Sequence, residues 1–97
     1  MPREIYRYLI EPHVPLAEIE ASIVLSLLAT ESLHGESQVR LDAAHTLDAD
    51  RRACVIDAQT AVGRDLNRLF VGFLRREFGE DAFTVERVTE TREPAMS

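Results

Sequence analysis

Few side chains in this 97-residue sequence are of types that do chemistry: one cysteine (Cys54), three histidines (His13, His34, His45) and two tyrosines (Tyr6, Tyr8). To these can be added one turn, Thr60-Ala61-Val62-Gly63-Arg64. A cysteine acts as a nucleophile where a neighbouring cation or base lowers its pKa. Cys54 instead stands in an alternating apolar run and reads as an inert core thiol. Histidines that hold a metal recur at short fixed intervals, often with cysteines. The three histidines here keep no such interval, so neither a metal nor a cofactor is expected. Asp48 and Asp50 lie in a short polar connection without the glycine and distal glutamate of a calcium loop. They read as turn residues that bond their own backbone. Ser22, Ser26, Ser32 and Ser37 have no nucleophile-elbow context.

The turn at Thr60, Gly63 and Arg64 has the makings of a weak anion site. Free N–H groups at a helix start, a hydroxyl and a nearby arginine suit a phosphate or carboxylate. A single glycine is no phosphate-binding fingerprint, however. The favoured reading is a helix capped by Thr60, with Gly63 present for close packing.

The elements that must position these residues follow from two hydrophobic periods. Alternation marks strands at Ile5–Ile10, Val39–Thr46, Cys54–Thr60 and Phe83–Val88, because successive strand side chains point to opposite faces. Recurrence at three and four residues marks helices at Pro15–Leu33 and Val62–Phe78. Gly35 and Gly79 stand where these helices should stop, and Asp48 to Arg51 has the length of a hairpin connection. The first helix has an apolar face broader than one sheet requires.

The order β-α-β-β-α-β predicts an α+β domain of the ferredoxin-like kind. Both helices lie on one face of a four-stranded antiparallel sheet, and the other face is bare. One domain over residues 1–90 and a flexible polar tail over 91–97 account for the chain.

Parity then assigns the bare face. Arginine is costly to bury unpaired, so Arg7 should point away from the helices and Tyr6 and Tyr8 toward them. The same counting places Arg40, Asp42, Asp57, Gln59 and Glu86 on the open face, with Ile5, Leu9 and Val55 between the charges. Domains of this topology that bind single-stranded RNA stack bases on outward aromatics, and here the tyrosines should be core.

Seventeen acidic against eleven basic residues give a net charge of −6, a field that repels phosphate backbones and anionic membrane surfaces. The longest apolar run is far short of the ~20 residues that span a bilayer. A lone cysteine and no apolar leader point to a soluble cytoplasmic protein.

The leading expectation is therefore a non-catalytic module that forms a homodimer or binds a protein partner through its open sheet face, with no nucleic acid and no membrane involved. The second is a regulatory domain for a small ligand such as an amino acid, a carboxylate or a phosphate. The third is a small dimeric enzyme with His45, Asp42 or Tyr8 in a cleft.

Overall fold

A computed structural model describes residues 3–90. It contains four strands and three helices: β1 (Arg3–Ile10), α1 (Leu16–His34), α2 (Glu36–Asp42), β2 (His45–Asp48), β3 (Ala53–Asp57), α3 (Ala61–Phe78) and β4 (Phe83–Glu90). A single 3₁₀ turn, Glu80–Ala82, leads into β4. The expected tail at 91–97 lies outside the described residues.

The sheet has the order β2-β3-β1-β4, and every neighbouring pair is antiparallel. β1 is thus central, flanked by β3 and β4. Its alternation sorts side chains as parity requires: Tyr8 and Ile10 are buried on the helix side, while Arg7 and Leu9 are exposed on the other. Cys54 and Ile56 of β3 join them beneath Leu66, Phe70 and Leu74 of α3 and Ile19 and Ile23 of α1. Tyr8 forms the centre of this core. Its ring meets Phe70 edge-on at a centroid distance of 4.9 Å, and Phe83 lies 6.0 Å away. The Tyr8 hydroxyl donates to the Asn67 side-chain oxygen, so the polar tip has a partner within the packed layer.

α1 follows Pro15, which has extended dihedrals and leads directly into the first turn. Its buried side carries Ser22, Ser26 and Thr30, whose hydroxyls donate to the carbonyls of Glu18, Ser22 and Ser26. Each buried hydroxyl is thereby satisfied within the helix. At the far end, His34 Nε2 lies 2.8 Å from Asp65 Oδ2 and ties α1 to α3.

The stretch expected as a strand at Val39–Thr46 is mostly helical. Gly35 adopts φ +89°, ends α1 with its N–H on the Glu31 carbonyl, and then accepts the Val39 N–H to begin α2. Two pairs at a spacing of four residues run along α2: Arg40 with Glu36 at 2.9 Å and Gln38 with Asp42 at 2.6 Å. Val39 is the one buried residue of α2, and Leu41 is 77% exposed. The alternation of Val39, Leu41 and Ala43 was a coincidence of composition. The strand itself is shorter and begins only at His45.

The expected third strand also ends early, at Asp57. Thr60 caps α3, and its hydroxyl accepts the Gly63 N–H at 3.0 Å.

Candidate functional site

The face of the sheet opposite the helices is uncovered among the described residues. Strand register arranges it in three rows. In the first, Ile5 lies between Asp57 and Val88. In the second, Arg7 lies between Val55 and Glu86, with Thr46 beyond Val55. In the third, Leu9 lies between Ala53 and Thr84, with Asp48 beyond Ala53. Apolar side chains therefore bracket a charged centre.

That centre is one ion pair. The Arg7 guanidinium donates to Glu86 Oε1 through Nη2 at 2.7 Å and through Nε at 3.2 Å. Both side chains are about half exposed, at 46% and 52%, so the pair is wet and of modest intrinsic strength. A shallow depression beside it is lined by Arg7, Leu9, Thr46, Asp48, Arg51 and Val55. A second, toward the end of β2, is lined by Ile5, Ala44, Thr46, Val55 and Asp57.

Of the residues expected on this face, the structure brings Arg7, Asp57 and Glu86 together on the sheet. Gln59 lies just past β3, where its N–H bonds Asp57 Oδ1 at 2.9 Å and shapes the turn into α3. Arg40 and Asp42 are not on the sheet. Both lie on α2, where a helical spacing of four gives each a partner within its own helix. The open face is consequently less charged and more apolar than expected.

The turn at Thr60, Gly63 and Arg64 uses its own donors. The Gly63 N–H bonds Thr60 Oγ1, and that hydroxyl donates to the Asp42 carbonyl at 3.2 Å. Arg64 turns back to the Gln59 carbonyl at 3.3 Å. Gly63 is required by close approach: a Cβ there would lie well inside van der Waals contact of the Asp57 carbonyl oxygen and 3.1 Å from its carbon. The glycine seats a helix on a turn rather than shaping a cradle.

The groups with nucleophilic chemistry are held out of use. Cys54 is fully buried, and burial pushes its thiol up from its usual 9.0 to about 12. Burial likewise raises the Tyr8 phenol, with Cys54 adding to the effect. Among the described residues no three His, Cys, Asp or Glu side chains gather where a metal could bind. No helix there is long and apolar enough to cross a membrane.

One residue that sequence reasoning passed over has a large structural role. Arg52 adopts φ +51°, in the left-handed region that favours glycine, at the end of the hairpin turn. Its guanidinium reaches the carbonyls of Ile10, Glu11 and Val14, and its own carbonyl accepts the Ile10 N–H. It ties the β2–β3 hairpin to the loop between β1 and α1. Its only sequence signal is an arginine beside a turn, which any solvated surface also offers.

Comparison of the chain with protein-family models, curated proteins and solved structures finds no match.

Proposed function

We propose that this chain is a non-catalytic module that pairs with a second copy of itself through the open sheet face. The carrying observation is the Arg7–Glu86 pair set among Ile5, Leu9, Val55 and Val88. Neighbouring opposite charges are self-complementary about a two-fold axis: Arg7 of one copy can meet Glu86 of the other while the apolar side chains pack around them. With strands about 4.8 Å apart, β1 and β4 about 27 Å long and β2 and β3 only about 13 and 17 Å, each copy offers ~400 Å². Two such faces give ~800 Å², in the range of a weak, concentration-dependent pairing.

The strand order β2-β3-β1-β4, with α1 and α3 over one face, supports a ferredoxin-like reading of the fold. On that reading α2 is an added helix of about two turns before the hairpin. The lone buried thiol suits a reducing, cytoplasmic setting.

Light scattering coupled to gel filtration tests the proposal. The chain is expected to run as a dimer that dissociates in Arg7→Glu and re-forms in the charge-swapped variant Arg7→Glu/Glu86→Arg. A monomer at millimolar concentration, or a dimer indifferent to Arg7→Glu, overturns it.

A further inference from the structure

We propose that the groove between α1 and β2 docks a cationic amphipathic helix from a partner protein. This surface lies mainly on the helix side at the β2 edge and meets the open sheet face only at Thr46. Ile23, Val24 and Leu27 of α1 line it on one side, with His45, Thr46 and Leu47 of β2 on the other. Val24 is 54% exposed, as is Leu28 one turn on, although the same helix buries Ile19 and Ile23 in the core.

The charge around this apolar strip selects the occupant. α1 carries three glutamates, Glu18, Glu20 and Glu31, and no lysine or arginine. Glu20 and Glu31 stand at the two ends of the line through Val24 and Leu27, because steps of four, three and four keep one helical face. Eleven residues at 1.5 Å each separate them by ~16 Å. No residue lining the groove is a lysine or arginine. Glu20 lines the groove itself and Glu31 stands one turn beyond Leu27 on the same helical line, so the apolar strip runs between two carboxylates.

A second copy of α1 does not fit this strip. Antiparallel packing about its middle pairs position 24 with 27 and therefore Glu20 with Glu31, while parallel packing sets each glutamate against itself. Like charges face each other in both arrangements. Anionic lipid headgroups meet the same repulsion. A partner helix with apolar residues at i, i+3, i+4 and i+7 and a lysine or arginine toward each end satisfies both the floor and the rim.

The test uses the full chain and a fluorescein-labelled helical peptide of about 14 residues, with leucines on one face and lysines at both ends. A peptide of the same composition in scrambled order is the control. Fluorescence anisotropy is expected to show saturable binding of the ordered peptide, at least about tenfold tighter than the scrambled one. Val24→Asp/Leu28→Asp should lose about tenfold or more. Glu20→Lys/Glu31→Lys, two surface changes that leave the floor intact, should weaken the cationic peptide and bind a glutamate-ended version instead.

Circular dichroism of each variant checks that the fold is kept. Equal binding of ordered and scrambled peptides overturns the proposal, as does binding that survives the Glu20/Glu31 reversal. So does a wild-type dimer that Val24→Asp/Leu28→Asp dissociates, which would assign the strip to a second copy.

Discussion

Replacing Gly63 with alanine sets two forces of opposite sign against each other within one helix. Alanine is the better helix former, by about 1 kcal/mol in a helix interior. At Gly63, however, the new methyl would drive into the Asp57 carbonyl and come 3.2 Å from Ala58 Cα. Both obstacles are backbone, so neither can rotate away. The start of α3 must lift from the β3–α3 turn, straining the Thr60 cap at Gly63 and the packing of Val62 and Leu66.

Overpacking of this kind costs about 1–3 kcal/mol and a lost cap about 1. Subtracting the helix gain leaves a net loss of roughly 2 kcal/mol. In a domain of this size that is a fall of about 8–16 °C in Tm. Gly72 supplies the internal comparison: it lies in the same helix, and a Cβ there would meet nothing within 4 Å. Gly72→Ala should therefore stabilise, by up to about 1 kcal/mol. Urea denaturation of both variants measures the two effects. A Gly63→Ala variant as stable as the wild type, or shifted in the same direction as Gly72→Ala, would refute the close approach of α3 to the Asp57 carbonyl.

Two further outcomes follow from the core and the hairpin. Arg52→Ala removes a guanidinium from three carbonyls and should cost about 2–3 kcal/mol in urea denaturation, with Arg52→Lys in between because an ammonium has no planar fork. A loss below about 0.5 kcal/mol would mean that water replaces the clasp at no cost. The raised thiol of Cys54 makes stability fall in alkali. The folded form holds its proton to about pH 12 and the unfolded form only to about 9, so its contribution is complete below pH 9 and is lost as pH climbs toward 12. Cys54→Ala should flatten that decline by up to about 1.4 kcal/mol per pH unit, whatever its packing cost at neutral pH. Identical slopes for the two proteins would contradict the burial.

The parts of this fold that were legible in the sequence are those where one face is apolar over several turns or residues. α3 was readable because Val62, Leu66, Phe70 and Leu74 recur at four residues and all are buried. β1 was readable because an arginine between two tyrosines leaves one parity for the core, and Tyr8 is fully buried there. The stretch from Gly35 to Ala44 misled because it is too short for a period to declare itself. Its helical signal was in the polar residues, Glu36 with Arg40 and Gln38 with Asp42, which alternation counting ignores. That slip carried two charges onto the wrong surface. Arg7, Asp57 and Glu86 lie on the sheet because their strands are pinned by buried neighbours such as Tyr8, Cys54, Ile56 and Phe83. The Arg52 clasp was out of reach of any local pattern, since its partners are some forty residues away.

The strand order also has a consequence for synthesis. β1 is the central strand, yet it precedes both of its neighbours in the chain, β3 and β4. At ~5–20 residues per second, the ribosome needs several seconds to pass from Ile10 to β4. Until β3 is made both edges of β1 have no native partner, and the edge that pairs with β4 has none for the whole interval. α1 emerges in the same interval with Val24, Leu25 and Leu28 bare, as they still are in the finished fold. The nascent chain therefore offers a sticky strand and a sticky helix to its surroundings before its own closing strand exists. A chaperone that shields short apolar segments would act on residues 5–28, and its need would end with translation of Phe83–Glu90.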